Sequence, residues 1–434
     1  MSYEYKDATL PWLSQIPKHL ELVRNKTVLK ETKETVGTNH GDYQLLSLTK
    51  GGVIIRDLST GKGKFPSDFG TYKIVRDGQI IFCLFDIDET PRTVGVSKYN
   101  GMITGAYDVF SISGVNPRYL EYYYLSLDDV KAMRPLYTGL RKVIGVNTFM
   151  ETHIPLPPRE EQDQIVRYLD WKVSQINKLI NAKRRQIALL QEQRKSIINN
   201  SIAAANAKTI RLKNIADVFI GLTYNPASLT DGVGTAVLRA NNIQNGKLVW
   251  DGMAYVDCKV PDKLRLQKGD ILVCSRNGSR SLIGKCGIVT DEFAGSTFGA
   301  FNTVVRSEFW SFLYYVINSQ IFSDQAGAFS TSTINQLTLG MFNAMAFPFP
   351  QKDVQDSIVL FLDKQCSRID KIICKIAAEI ALIAEYRTRL ISDVVTGKKD
   401  VRSAVVPQYE MQEDCGDPES KLFEGEDEDI FDGN

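Results

Sequence analysis

The sequence predicts an α+β protein: two globular units joined by two long antiparallel coiled-coil helices, the halves related by a pseudo-twofold internal repeat. Three observations lead there. One stretch of the chain occurs twice. Each copy contains a long run without Pro or Gly that carries a single apolar stripe. The segments ahead of each copy are rich in short strand patterns and tight turns.

Ile154–Ala203 aligns without a gap on Phe347–Thr396 at a shift of 193 residues. Identical pairs include Pro155/Pro348, Pro157/Pro350, Gln162/Gln355, Ile165/Ile358, Leu169/Leu362, Asp170/Asp363, Ile176/Ile369, Ile180/Ile373 and Ile187/Ile380. Each copy opens with prolines, which cannot continue a helix. Its apolar residues then fall three, four and seven apart: Leu169, Val173, Ile176, Ile180, Ile187, Leu190 and Ile197 in the first copy; Leu362, Cys366, Ile369, Ile373, Ile376, Ile380, Ile383 and Leu390 in the second. This is a coiled-coil seam. At 1.5 Å per residue each helix runs roughly 60 Å. A one-striped helix must bury its stripe on a partner. The nearest partner is the other copy, antiparallel under a pseudo-twofold axis; the alternative is a dimer through the same seams.

The chain of 434 residues exceeds what one core holds. The expected division is 1–153, first globular unit; 154–207, central long-helix spacer; 208–346, second unit; 347–402, C-terminal long-helix spacer; and 403–434, an acidic tail expected to be disordered. In the first unit, DYQLLSLTKGGVIIRD reads as a strand pair, YKIVRDGQIIFCLFDID as a hairpin turned at Asp77-Gly78, and VGVSKYNGMIT as one turned at Asn100-Gly101. PRYLEYYYLSLDDV reads as a helix with Pro117 in its first turn. The second unit repeats the plan loosely, with an Asn245-Gly246 turn. The copies diverge mainly in the globular parts, where a ligand would be read.

No apolar run is long enough for a membrane span, and the first residues lack a signal-peptide core, so a cytoplasmic protein is expected. Seven scattered cysteines without CxxC fit a reducing compartment. Cys258, Cys274 and Cys286 match no usual zinc spacing. The formal net charge of +1 conceals a division. Residues 407–434 hold eleven carboxylates and one lysine, net −10, which leaves 51 basic and 40 acidic groups elsewhere, net +11. A basic body suggests a polyanion partner. The tail is then either solubilising or an intramolecular competitor for the basic surface.

Catalytic signatures are absent. There is no Asn/Asp-Pro-Pro-Tyr element, no glycine-rich cofactor loop, no complete phosphate loop around Gly61–Lys64 and no Gly-x-Ser-x-Gly turn. Asp86, Asp88 and Glu89 read as a solvated loop rather than a metal site. Tyr119, Tyr122, Tyr123 and Tyr124, like Phe309, Trp310, Tyr314 and Tyr315, sit at helical spacing and read as core rather than as base-stacking platforms. The polar loops suit nucleic acid. Arg239, Asn241, Asn242 and Lys247 surround one hairpin, and Arg276, Asn277 and Arg280 lie in a Gly-Ser-rich loop, with Thr333 and Asn335 further on. Arg and Asn can pair with guanine and adenine edges. The first unit offers Arg56, Lys62, Lys64, Arg92, Lys98, Arg141 and Lys142, of which some would touch only phosphate.

The plan resembles the specificity subunit of Type I restriction-modification systems. The resemblance is carried by Pro11-Trp12-Leu13 with Ile16-Pro17, by the Thr138–Lys142 loop, by Ile154–Gln162 opening the first long helix, and by Phe347-Pro348-Phe349-Pro350 with Gln355 opening the second. It covers the chain to about Arg402. Leu20 replaces a common aromatic, the second lead-in lacks the Pro-Glu-Glu-Gln form, and the acidic tail is an addition. The resemblance implies two target recognition domains, each reading half of a bipartite, asymmetric double-stranded DNA target. It implies helices that set the gap and dock two modification (methyltransferase) subunits, with two restriction (translocase/nuclease) subunits joining. The docking residues would be Gln162, Ile165, Leu169, Ile176, Ile180, Ile187 and Leu190, with Gln355, Ile358, Leu362, Ile369, Ile373, Ile380 and Ile383. It further implies no cofactor here, with S-adenosylmethionine, ATP and Mg only on the partners, and a non-catalytic chain. A coiled-coil scaffold or adaptor that binds proteins is the competing reading.

Overall fold

The computed structural model describes residues 3–56, 69–139, 142–205, 207–329 and 336–413. They divide into two compact units, Met1–Arg185 with Ile376–Asn434, and Gln186–Lys375. The boundary cuts both long helices, so each unit keeps part of each.

In the first unit, β1 (Leu29–Thr32), β2 (Ile80–Phe82), β3 (Val94–Val96) and β4 (Asp108–Ile112) form an antiparallel sheet in the order β1-β4-β2-β3. Side chains alternate across it. Ile80, Phe82 and Phe110 face a core with helix α1 (Pro117–Asp128), whereas Ile81 and Val109 face a second core under the hairpin 46–49/52–55. Both faces are therefore dry. This corrects two expected hairpins. Residues 73–75 pair with 101–103, not with β2, and β3 pairs with β2, not with 101–103. Ile80, Ile81 and Phe82 are all fully buried, so β2 is a central strand that needs two partners, and the turns at Gly78 and Asn100 carry the chain between sheets.

In the second unit, β5 (Asp217–Ile220), β6 (Ile271–Cys274), β7 (Cys286–Ile288) and β8 (Asn302–Arg306) take the same order, β5-β8-β6-β7. Ile271, Val273, Cys286 and Val305 pack with helix α3 (Trp310–Ile317), while Leu272, Cys274 and Val304 face the other core. Cys274 and Cys286 thus point into different cores. The Asn245-Gly246 turn forms, with φ of 51° and 75°, the two positive values a type I′ hairpin needs. A Cβ on Gly246 would lie 2.6 Å from the Tyr314 hydroxyl, so glycine is required twice over.

Helix α2 (Arg159–Ala203) and helix α4 (Lys352–Val395) follow the two Pro-rich lead-ins. Gln162 Nε2 donates to the Pro157 carbonyl at 2.8 Å, and Gln355 Nε2 to that of Pro350 at 2.8 Å, so each glutamine pins the turn before its helix. Gln162 Oε1 also accepts from the Asn116 amide, whereas Gln355 Oε1 is buried without a partner among the described residues. The helices run antiparallel within each unit. In the first, Arg387 donates to Asn177 Oδ1 at 2.7 Å and Lys183 pairs with Glu379. In the second, Arg194 pairs with Asp370 at 3.3 Å, and Ile198 and Ile202 share a core with Leu362 and Cys366. The seam is closed inside the chain. No helix among the described residues is long and apolar enough to cross a membrane.

Candidate nucleic-acid interface

The tyrosines of α1 are structural. Tyr119, Tyr122, Tyr123 and Tyr124 are buried, and each hydroxyl is engaged: with Pro155 O, with Asp170, with the Trp12 indole N–H and with Asn25 Oδ1. Burial above all pushes these phenols well above their ordinary range. No free face remains for stacking on a base.

Polar loops lie at the sheet ends. In the second unit the chain converges on segment 299–301. The Gly299 amide donates to Leu238 O at 3.0 Å, and the Ser275 and Arg276 amides both donate to Phe301 O at 3.0 Å. The loops carrying Arg239 and Arg276 therefore meet along one short segment. A Cβ on Gly221 would sit 2.2 Å from Gly299 O, so only glycine lets these backbones approach. Arg276 lies over the ring of Phe301 at 5.1 Å, and that ring is 58% exposed. A cation over an aromatic face at the surface is a platform for a flat, electron-rich ligand. Phe301 was not among the residues singled out in the sequence; an exposed phenylalanine gives no signal until its surroundings are known.

The other expected residues of this unit divide. Arg239 and Asn241 are exposed and steadied on Gly252 O at 2.8 and 3.5 Å. Lys247 and Arg280 are exposed. Asn277 accepts from the Ser279 amide at 2.9 Å and shapes its loop. Asn242 does not belong to the interface: it is fully buried, accepts from the Arg239 amide and donates to Val249 O and Asp251 O. Thr333 and Asn335 lie outside the described residues.

In the first unit, Arg92 is likewise a pin. It is 17% exposed and bridges Asp128 at 2.9 Å and Asp129 at 3.0 Å. Lys142 is exposed but paired with Glu89 at 2.8 Å, and Arg134 takes Asp88 at 3.0 Å, so two carboxylates of the Asp86–Glu89 loop are held by neighbouring cations. Arg56 is half-buried at the end of its hairpin, its amide donating to Leu45 O at 2.8 Å. Lys98 is exposed on the turn after β3. Lys62, Lys64 and Arg141 lie outside the described residues.

The expected docking residues mostly face inward. Gln162, Ile165, Leu169, Ile176, Ile180, Gln355, Leu362 and Ile369 are buried, and Ile187, Leu190, Ile358, Ile373, Ile380 and Ile383 are half-buried. They fill the seam and the cores because α2 and α4 are each other's partner. The large apolar side chains left in water on the two long helices are Leu179, Leu189, Val354, Leu360, Phe361, Ile372, Leu382 and Tyr386.

Residues 403–413, grouped by composition with the tail, do not stand free. They lie along α2, where Gln164 donates to Val401 O and Ala404 O, Ser174 to Glu410 O, Asn177 to Gln412 O and Asn181 to Glu413 O.

A four-stranded sheet of the same strand order in each unit, each set with its own stretch of both long helices, defines a class of proteins built from an internal repeat. Within it, the chain belongs to the family described as the Type I restriction modification DNA specificity domain, whose model matches residues 84–189 and again 205–382. It is 27% identical over 167 residues to the Type I restriction enzyme EcoKI specificity subunit of Escherichia coli strain K12, covering 37% of this chain and 36% of that protein. Over 285 residues it is 22% identical to the MjaVIII specificity subunit of Methanocaldococcus jannaschii, covering 59% of this chain and 64% of that one. The matches thus span about a third to two thirds of these relatives' length. A solved chain from a study of complex assembly and conformational transition in a type I R-M system superposes with a TM-score of 0.58 at 16% identity, over 88% of this chain and 99% of its own; it shares the fold.

Proposed function

We propose that this chain is the DNA sequence-specificity subunit of a Type I restriction-modification complex. Each unit reads one half of a bipartite, asymmetric double-stranded target, and α2 with α4 fixes the unread gap. The exposed aliphatic residues of the helices dock two modification subunits, and two restriction subunits join the assembly. The chain performs no chemistry; S-adenosylmethionine, ATP and Mg act on the partners.

The observation that carries this reading is the double occurrence of the family domain, once from β3 through α1 into α2 and again across the whole four-stranded sheet of the second unit. The Arg239, Arg276 and Phe301 cluster supports it, since Arg reads guanine edges and stacks on π surfaces. The exposed Leu179, Leu189, Leu360 and Leu382 support helix docking, because large unpartnered apolar side chains on a surface mark an interaction site.

The test is a genome-wide map of adenine methylation in cells with and without the chain. Loss of one split motif, two short half-sites around a fixed gap, is the expected result. An unchanged map in cells whose modification subunit is expressed and active would overturn the reading and favour a protein-binding adaptor.

A further inference from the structure

Arg118 lies 4.7 Å over the ring of Tyr122, Arg306 lies 5.2 Å over Phe219 and Arg402 lies 4.4 Å over Tyr3. In each pair a carboxylate takes the edge of the guanidinium: Glu121 and Asp170 for Arg118, Asp270 at 2.7 Å for Arg306, and Asp400 at 2.8 Å for Arg402. Arg276, 5.1 Å over Phe301, differs. It is exposed, and its guanidinium has no hydrogen bond or ion pair among the described residues. A guanidinium is a planar fork of five donors without an acceptor. The open edge of Arg276 therefore calls for a ligand that presents two acceptors side by side.

The main chain beneath this pair is tied on both sides. Cys274, the last residue of β6, pairs with Asn302, the first of β8, so Arg276 and Phe301 leave the same end of the sheet. Phe301 O accepts from the Ser275 amide at 3.0 Å, the Arg276 amide at 3.0 Å and the Ser275 hydroxyl at 3.1 Å. Across from it, the Leu337 amide donates to Ser275 O at 2.7 Å, and Gln336 forms a bridge with Arg276. The backbone fixes where both side chains start, and the ring limits how the guanidinium swings, so part of the ordering that binding demands is already done.

The occupant must meet two adjacent demands: paired acceptors for Arg276, and an apolar group for the exposed ring of Phe301. A phosphate meets the first alone and leaves the ring in water. On the major-groove edge of a duplex, guanine offers O6 and N7 together, and the thymine C5 methyl is the apolar group. Adenine and cytosine each present an amino donor there, which a donor-only guanidinium cannot pair with. Successive bases rise by about 3.4 Å and are also turned about the axis, a separation that suits two groups 5.1 Å apart.

We propose that Arg276 and Phe301 together read a guanine next to a thymine in the half-site of the second unit. Arg276 donates to guanine O6 and N7, and Phe301 packs on the thymine methyl. The inference rests on the DNA-reading function proposed above and names two of the bases read.

The experiment uses the full-length chain co-purified with its modification subunit and starts from the methylated motif. Arg276→Ala is expected to relax one position in one half-site, a guanine with thymine beside it. Duplexes carrying that half-site are then made with 7-deazaguanine, which lacks N7, or with uracil, which lacks only the methyl, and compared by competition binding. The unaltered complex should bind the 7-deazaguanine duplex roughly fivefold and the uracil duplex about fourfold more weakly. Phe301→Ala should bind thymine and uracil duplexes equally, and Phe301→Leu should keep the preference for thymine. Arg276→Ala should not distinguish guanine from 7-deazaguanine. The analogues are read by the unaltered chain, so a variant that misfolds does not decide the outcome. Relaxation at another base, or indifference of the unaltered complex to either analogue, would overturn the assignment and leave the DNA reader standing. Uniform weakening of every duplex by Arg276→Ala would make Arg276 a phosphate contact and overturn it too. A methylation map without a split motif would overturn the DNA-reading function itself.

Discussion

The phenol of Tyr122 donates to the carboxylate of Asp170 at 2.7 Å, and one repeat later Tyr315 donates to Asp363 at 2.5 Å. The pair ties the short helix of each globular part to the long helix that supports it. The two copies are not equivalent in surroundings. Asp170 also takes Arg118 at 3.2 Å and is half-buried, while Asp363 is exposed. Losing the phenol takes one of two donors from Asp170, where little water can replace it, whereas water can replace the phenol at Asp363. Tyr122→Phe should therefore cost about 1–3 kcal/mol and Tyr315→Phe at most about 1 kcal/mol, measured from urea denaturation midpoints with probes placed in each unit. Equal losses would show that solvent access does not set the difference.

On the proposed function, the length of α2 and α4 is what spaces the two half-sites. Inserting or deleting residues within Gln186–Ser196 should change the gap between the half-sites and leave both half-sites unaltered, because a helix advances 1.5 Å per residue while DNA repeats at about 34 Å. The check is the methylated motif of each variant. An unchanged gap would remove the helices as its determinant.

Arg276 over Phe301 should matter to one half-site only. Arg276→Ala, Phe301→Ala and Arg280→Ala are expected to weaken binding by about 1–3 kcal/mol or to relax the half-site read by the second unit. Relaxation of the other half-site would reverse the assignment of units to half-sites. Asn242→Ala should instead lower the melting temperature of the second unit, since it strands the groups that Asn242 satisfies.

Thiol reactivity should follow burial. Burial pushes the Cys83 thiol up to about 11 and that of Cys286 up to about 12, whereas Cys374 is exposed. Because the thiolate is the nucleophile, iodoacetamide at about pH 8 should modify Cys374 and spare Cys83 and Cys286 until urea is added. Raising the pH toward the shifted values should bring little gain, as both sulfurs also lack access. Peptide mass mapping reads the order, and early modification of Cys286 would contradict the packing described for β7.

Much of this architecture was legible in the sequence. The long helices announce themselves because an apolar stripe at spacings of three and four has one structural solution, and the 193-residue shift exposes the repeat. Strand pairing was not legible. A run such as Ile80-Ile81-Phe82, dry on both faces, has no alternation to reveal its neighbours, and the nearby Gly78 turn suggested the wrong one. The sequence could not separate surface cations from structural ones. Arg239 and Arg276 stay exposed, but Arg92 and Asn242 share their chemistry and are consumed by the fold, a distinction that depends on Asp128 and Val249 lying nearby. The course of residues 403–413 left no mark in their own sequence because α2 grips their carbonyls, which every residue possesses.

The division of both helices between the units sets an order of events at the ribosome. The second unit is one continuous stretch, Gln186–Lys375, and can close its core as soon as that stretch has emerged. The first unit, although synthesised earlier, lacks Leu390, Ile391, Val394, Val395 and Val401 from its core until the end of the chain is made. Its half-built core must wait through the synthesis of the whole second unit. A stalled or prematurely terminated message should therefore yield a folded second unit and a first unit with exposed apolar surface, the form that chaperones hold and proteases clear.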